Sequence, residues 1–314
     1  MHKAQTVGVV LPIYNPDQQL LNDVVRAILR QTHPVEKIVI LDSSPSSYFS
    51  MDWTSHENIC LVPVSTEDFD HGGTRNKGVD YISDLDAAVF LTQDAVMAED
   101  CIDSLVRFIN DKHISAAFAR QIPRAEAGVL ESFDRRFNYP DVSRLVSGSP
   151  KGIEDVFFSN VCSVVRLDAF FKVGKFPEDI LTNEDVALVL KLLDNNFSYG
   201  YCSEAVVVHS HAPNFMATLR RFFDTGAMHR MWEDKLSPGS VRGRGIEYLV
   251  ESVKMILKED PKEIVVLFLH VASKSICYAL GKRFFLMGGW LRKQLSGNRA
   301  YWNKRSTRAK QLVS

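Results

Sequence analysis

Short apolar runs that end in a turn or an acid, each followed by a stretch with helical spacing, constrain this chain more than any other feature. Val7 to Ile13 (VGVVLPI) stops at Tyr14, Asn15 and Pro16; Lys37 to Leu41 (KIVIL) stops at Asp42; Ala87 to Leu91 (AAVFL) stops at Thr92, Gln93 and Asp94. Each reads as a buried strand closed by a turn. Residues 58–64 and 115–119 read as further strands. Between them, Leu20 to Arg30, Thr74 to Ser83 and Cys101 to Asn110 carry apolar residues at helical spacing. Strands alternating with helices predict an α/β fold of parallel β-α-β units in a doubly wound, Rossmann-like, mostly parallel sheet. Such sheets bind ligands beyond the carboxyl ends of their strands. Asp42 and Asp94 both fall there.

The second half is expected to add a strand over 155–166, helices over 167–173 and 184–193, and a strand over 205–209. Residues 126–150 show little periodicity and many Arg, Asp, Ser and Pro residues, which predicts a long loop near an acceptor.

Composition narrows the class. The chain has 314 residues, 46% hydrophobic and 24% charged, ordinary for a folded protein with a sizeable core. Its five cysteines are scattered and form no CxxC pair, which argues against a zinc knuckle or a disulfide framework and suits a reducing compartment. The apolar stretch near the N-terminus is short and runs into a loop, so a secretory leader is not expected and the cytoplasm is the expected location. Formal net charge is −1, yet from Lys235 onward there are 16 Lys+Arg against 5 Asp+Glu. That asymmetry points to an anionic partner for the C-terminal part.

Several groups can carry chemistry. A carboxylate at Asp42 can accept the N3–H of a uracil or thymine base, although acids at strand ends also serve as turn residues. The run His71 to Gly78 (HGGTRNKG) offers two glycines for close approach, a helix start, and Arg75 and Lys77 for phosphate; a helix entry with solvated basic residues is the plainer reading. Asp94 can contribute oxygen to a hard divalent cation on a diphosphate. Glu184 and Asp185 open a helix, either as capping acids or with one of them as a general base. His209 and His211 alternate onto one strand face, where a metal or phosphate contact competes with a structural role.

Taken in order, these pieces resemble the inverting glycosyltransferases of family 2, which have the GT-A fold. The resemblance covers roughly residues 6–212. It rests on Val9 to Pro16 (VVLPIYNP), Asp42, Arg75 to Gly78 (RNKG), Thr92 to Asp94 (TQD) and Asn183 to Asp185 (NED). Phe69 to Asn76 (FDHGGTRN) and the string Gln93, Asp94, Ala95 look like the rhamnosyltransferase branch. The resemblance implies that Pro12, Tyr14 and Asp42 cradle the nucleoside, with Arg75 near the base or diphosphate and Gln93 and Asp94 in the nucleotide-sugar site. It further implies Asp94 as ligand to Mg2+ or Mn2+, His209 and His211 near the metal or the leaving diphosphate, and Asp185, with Glu184 beside it, as base. Two positions depart from the family pattern: Ser43 follows Asp42 where a second acid is usual, and the metal motif is reduced to Thr92, Gln93, Asp94.

Residues 263–291 carry apolar runs interrupted or flanked by Lys274, Lys282, Arg283, Arg292 and Lys293. The longest charge-free stretch is about ten residues, against roughly 20 for a spanning helix. A basic, apolar, aromatic-bearing helical pair predicts a surface anchor on anionic lipid, with packing on its own domain or a second subunit as the alternative. Nucleic acid is not an expected partner, since no nucleic-acid motif is present.

The expectation is therefore a GT-A domain over 1–214 and a basic helical region over 215–314. The expected reaction moves L-rhamnose from dTDP-rhamnose onto a glycan or polyprenyl-diphosphate-linked acceptor in bacterial surface-polysaccharide synthesis, on the inner face of the membrane. Alternatives are a UDP-hexose donor, a nucleotidyltransferase (whose Gly-rich loop would follow the first strand, where PIYNP stands instead), and a silent GT-A-like binding protein.

Overall fold

The computed structural model describes residues 5–45, 52–67, 69–209, 214–233 and 238–304. The chain divides into two compact units. The first comprises Met1–Pro150, Asp155–Glu178 and Glu184–Ser210; the second comprises Lys151–Glu154, Asp179–Asn183 and His211–Ser314.

The first unit is a nine-stranded sheet with helices. Its elements are β1 (Val7–Ile13), α1 (Gln18–Leu29), β2 (Lys37–Asp42), β3 (Ile59–Pro63), α2 (His71–Asp80), β4 (Ala87–Leu91), β5 (Ala95–Met97), α3 (Cys101–Asp111), β6 (Ala116–Ile122), α4 (Val129–Asn138), β7 (Arg144–Val146), β8 (Cys162–Arg166), α5 (Leu167–Lys172), α6 (Glu184–Asp194) and β9 (Tyr199–His209). The strand order is β3-β2-β1-β4-β8-β6-β9-β5, with β7 also on β9. β1, β2, β3 and β4 pair in parallel, as do β6 and β9. β8 runs antiparallel between β4 and β6, and β5 and β7 run antiparallel to β9.

The continuous apolar runs have their cause in this arrangement. Val7, Val9, Val10 and Leu11 of β1, Ile38 to Leu41 of β2 and all of β4 are fully buried, as parallel strands covered on both faces require. α1 lays Leu21, Val24, Val25 and Ile28 on the sheet, a one-face spacing, and is capped by Asp17, which accepts from the Leu20 N–H at 2.9 Å. Each such side chain contributes about 1.5–3 kcal/mol by leaving water.

Three local expectations change. The segment expected as a loop over 126–150 holds α4 and β7. The strand expected from Asp155 begins only at Cys162, and β9 starts at Tyr199 rather than Ala205.

The second unit holds α7 (Phe215–Met231), α8 (Pro238–Glu259), α9 (Ile264–Lys282) and α10 (Gly289–Leu295). α7 and α9 approach until their backbones touch: a Cβ on Gly226 would run into the Tyr278 carbonyl, and one on Gly281 into the Phe223 carbonyl. Leu181, Ala227, Met228 and Trp302 form a small core. Asp224 is buried and accepts the Gly297 N–H at 2.8 Å; burial pushes its carboxyl up to about 6. Residues Pro261–Lys282 form a helical stretch long and apolar enough to cross a membrane by length and composition. The charge-free run counted in the sequence understated it, because Lys274 interrupts the run with its ammonium set over the rings of Phe222 and Tyr248, at 5.3 and 5.9 Å.

Candidate active site

The carboxyl ends of β1 and β2 are locked together. Register sets Pro12 opposite Leu41 and Ile13 opposite Asp42. The chain then turns through Asn15 in the left-handed region (φ 41°), which asparagine tolerates. Gln93 holds this turn with both amide atoms: its Oε1 accepts the Tyr14 N–H at 2.7 Å and its Nε2 donates to the Tyr14 carbonyl at 3.1 Å. Gln93 thus shapes the loop that follows β1, and Tyr14 is left half exposed. Asn15 donates its N–H to Ser44 Oγ at 2.8 Å, and Ser43 Oγ donates to the Ile13 carbonyl at 3.0 Å.

Asp42 is 5% exposed. One carboxylate oxygen accepts the Ser44 N–H at 2.9 Å, while Oδ2 is buried with no hydrogen-bond partner among the described residues. A buried acceptor left unpaired costs about 1–3 kcal/mol or more. It is explained when a ligand brings the missing donor.

The glycine-rich entry to α2 has a packing job. A Cβ on Gly72 would run into the Pro177 carbonyl, so glycine lets the helix press against the 176–178 segment. Asn76 fastens the same contact, donating to the Phe176 carbonyl and Glu178 at 3.0 Å each and accepting the Phe176 N–H at 3.1 Å. Asp70 already caps the helix through the Gly73 N–H at 2.7 Å. A carboxylate therefore takes up one of the free N–H groups at this helix start.

Arg75 turns instead to α6. Its guanidinium Nη1 lies 3.0 Å from Glu184 Oε1 and also donates to the His71 carbonyl at 2.8 Å. Burial pushes the Glu184 carboxyl up, but the charges of Arg75 and His71 and a backbone hydrogen bond outweigh it and hold the acid below its ordinary value. Asp185, at the next position, behaves oppositely. Burial first, and the Glu184 charge second, push its carboxyl up to about 7. Its oxygens accept the Val186 N–H at 2.8 Å and the Asn160 N–H at 3.4 Å. Two adjacent acids are thereby split into one fixed anion and one group that exchanges a proton near neutral pH.

Asp94 and His209 meet because β5 and β9 pair antiparallel with Ala95 opposite His209. His209 is buried, and its Nε2 lies 3.4 Å from Asp94 Oδ1. One carboxylate and one imidazole at a strand end suit Mg2+ or Mn2+ that takes its remaining ligands from diphosphate oxygens and water. Among the described residues no cluster of three or more His, Cys, Asp or Glu could hold a metal ion by itself. His211 lies outside the described residues.

Hydrogen bonds join these pieces into one site. The Thr92 N–H donates to the Val161 carbonyl at 3.1 Å, and the neighbouring Asn160 reaches Asp185. On the other side, His209 Nδ1 and Gln121 Oε1 are 2.9 Å apart, and Gln121 donates to Ser159 Oγ at 3.0 Å.

A carboxyl raised toward neutral pH and strand-end acids do not by themselves fix the reaction; the sequence family decides it. The model of Glycosyl transferase family 2 matches residues 8–173, from β1 through α5. The chain belongs to this family of glycosyltransferases. The transferase is also 32% identical over 303 residues to the O-antigen chain rhamnosyltransferase RfbN of Salmonella typhimurium, spanning 95% of this chain and 96% of that one. It is 30% identical over 300 residues to the O-antigen chain rhamnosyltransferase WbaN of Salmonella anatum, spanning 94% and 95%. Asp185 and His209 lie beyond the family match but inside these near full-length ones. Two solved structures share the fold. The mannosyltransferase PcManGT from Pyrobaculum calidifontis, in complex with GDP-Man and Mn2+, has a TM-score of 0.56 at 16% identity, over 98% of this chain and 87% of that one. S. aureus TarS 1-349 in complex with UDP-GlcNAc has a TM-score of 0.53 at 13% identity, over 81% and 73%.

Sequence reasoning missed Gln121, Ser159 and Asn160, and with them the helix α4 that supplies Arg135. The signals were present. Gln121 follows Arg120 in a strand that opens on an apolar run, and Val129, Phe133 and Phe137 fall at four-residue spacing, with the two rings 5.6 Å apart.

Proposed function

We propose that this transferase moves L-rhamnose from dTDP-rhamnose onto a glycan or polyprenyl-diphosphate-linked acceptor in bacterial surface-polysaccharide synthesis, with inversion. The observation that carries the chemistry is Asp185, pushed up to about 7 beside the Arg75-paired Glu184. The near full-length likeness to two O-antigen rhamnosyltransferases supports the sugar.

Each residue has a role in this reading. Asp42 Oδ2 accepts the N3–H of thymine, with Pro12 and Tyr14 beside the nucleoside. Asp94 and His209 would hold Mg2+ or Mn2+. A divalent cation bound there supplies positive charge against the departing diphosphate. Asp185 takes the acceptor hydroxyl proton as the acceptor oxygen forms its bond to the anomeric carbon. The bond from that carbon to the diphosphate oxygen breaks on the opposite side, and dTDP leaves with the electron pair. A β-linked donor therefore gives an α-linked product. Glu184, held ionised by Arg75, keeps Asp185 basic enough for the task.

The second unit serves as a peripheral anchor on the cytoplasmic face of the membrane. Phe268, Leu269, Phe285, Leu286 and Trp290 are exposed, and Lys282, Arg283, Arg292 and Lys293 stand among them. Apolar side chains with cations interspersed suit an anionic lipid surface, which also brings a lipid-linked acceptor within reach.

Binding and turnover with a panel of dTDP- and UDP-sugars in Mg2+ or Mn2+ test the proposal. Selective use of dTDP-rhamnose, lost in Asp94→Ala, is expected. Preference for a UDP-hexose would overturn the donor assignment, since Asp42 can serve uracil as well as thymine. Binding of none would overturn the enzymatic reading.

A further inference from the structure

We propose that Gln121 is a positioning residue that fixes which ring nitrogen of His209 faces Asp94, and that Arg135 on α4 fixes Gln121 in turn. The inference rests on reading Asp94 and His209 as the cation ligands.

Gln121 is 2% exposed, near the carboxyl end of β6 and opposite Val207 of β9. A buried amide has two acceptor sites and two donor hydrogens to satisfy. Here all four are used. Oε1 faces Arg135 Nη1 at 2.5 Å and His209 Nδ1 at 2.9 Å, and Nε2 faces Tyr139 Oη at 2.5 Å and Ser159 Oγ at 3.0 Å.

An arginine nitrogen only donates, so the amide atom facing Arg135 must be the oxygen. That settles the amide orientation, which heavy-atom positions alone leave open. The same oxygen faces His209 Nδ1, which must therefore carry the hydrogen. In the neutral imidazole the lone pair is then on Nε2, the nitrogen 3.4 Å from Asp94 Oδ1. Lone pair and carboxylate oxygen converge, an arrangement that repels unless a second ring proton or a metal cation joins them. The opposite tautomer would place an N–H toward Asp94, satisfy the carboxylate by a hydrogen bond, and remove the nitrogen as a ligand. Groups that hold a ligating histidine in one tautomer typically change metal affinity 10–100-fold when removed.

The network also gives α4 a reason to be where it is. Arg135 and Tyr139 reach Gln121 from α4 and its C-terminal end, and Ser159 precedes Asn160, whose N–H reaches Asp185. One amide thus holds the imidazole of the cation site and touches the segment that contacts the base.

Three full-length proteins test this: the wild type, Gln121→Met, which keeps the shape without the acceptor, and Gln121→Glu, which keeps the acceptor. Ring-nitrogen NMR of 15N-histidine protein at pH 8, with His209 identified by its loss in His209→Asn, reads the tautomer. Electron paramagnetic resonance of Mn2+ with dTDP present reads cation binding without turnover. The wild type and Gln121→Glu are expected to show the Nδ1–H pattern. Gln121→Met is expected to shift toward Nε2–H and to bind Mn2+ about 10–100-fold more weakly. An unchanged tautomer in Gln121→Met would overturn the proposal, as would a changed tautomer with unchanged Mn2+ binding. Should Gln121→Met fail to fold, Arg135→Leu leaves Gln121 in place but frees its amide to flip; it is expected to shift the pattern in the same direction, and an unchanged pattern overturns the proposal. If the wild type binds no Mn2+, the cation reading of Asp94 and His209 falls, while the ring-nitrogen pattern still decides the role of Gln121.

Discussion

Arg75 and Glu184 form a buried ion pair at 3.0 Å, with side-chain exposures of 7% and 11%. The pair joins α2 to the start of α6 and determines the character of the acid beside it. Glu184 stays charged because Arg75 is there, and that charge adds to burial in raising Asp185. Structural support and chemical tuning share one contact.

Breaking the pair from one side strands a buried charge, which costs about 3–5 kcal/mol. Arg75→Leu is therefore expected to lower stability by that order in urea denaturation. The double variant Arg75→Leu, Glu184→Leu is expected to recover part of the loss, because no carboxylate is left unpaired. Equal loss in both would show that the contact does not work as an ion pair.

The raised Asp185 acid has two consequences of opposite usefulness. A base must be deprotonated, so kcat/KM is expected to rise with pH through an ascending limb near 7. Folded Asp185 holds its proton more tightly than the unfolded chain, where the acid has its ordinary value of 3.8. Its contribution to stability is full below about 4 and is lost as pH rises to about 7. Asp185→Asn is thus expected to melt higher than wild type at pH 8, with the gap closing toward pH 4. A constant gap across that window would contradict the raised acid.

Gly72 has no room for a side chain against the Pro177 carbonyl. Gly72→Ala is expected to destabilise by about 1–3 kcal/mol through overpacking. It should also lower activity, since α2 carries Arg75. A melting temperature equal to wild type would show that the helix can shift away freely.

Membrane contact is expected to depend on both charge and apolar surface. Purified protein should sediment with anionic vesicles, weakly with zwitterionic ones, and less in high salt. Leu286 is 73% exposed, and Leu286→Ser is expected to weaken partitioning about tenfold or more, the equivalent of one large apolar side chain kept in water. Retention after carbonate extraction from cells would instead indicate that α9 spans the bilayer, and absence of sedimentation would remove the anchor.

What was legible in the sequence was local and periodic. The runs at β1, β2 and β4 announced buried parallel strands, and their ends located Asp42 and Asp94. What was not legible depended on partners distant in the chain. The glycines before Arg75 fit a phosphate cradle and a plain helix entry alike, and the group pressed against Gly72 is Pro177, about a hundred residues on. β8 read as one more strand; only pairing shows that it runs antiparallel between β4 and β6. α4 was hidden because Glu131, Asp134, Arg135 and Arg136 interleave with a four-residue apolar spacing and dilute it. Gln121 drew no attention because its meaning lies in the four groups that surround it.

The role of Asp185 is tested most directly by Asp185→Asn. Single-turnover transfer from dTDP-rhamnose and equilibrium binding of the donor would be measured side by side on this variant and the wild type. The transfer rate is expected to fall about 10²–10⁴-fold, the usual contribution of a general base, while donor affinity stays within a few-fold. Transfer retained within tenfold of wild type would contradict the assignment of the base.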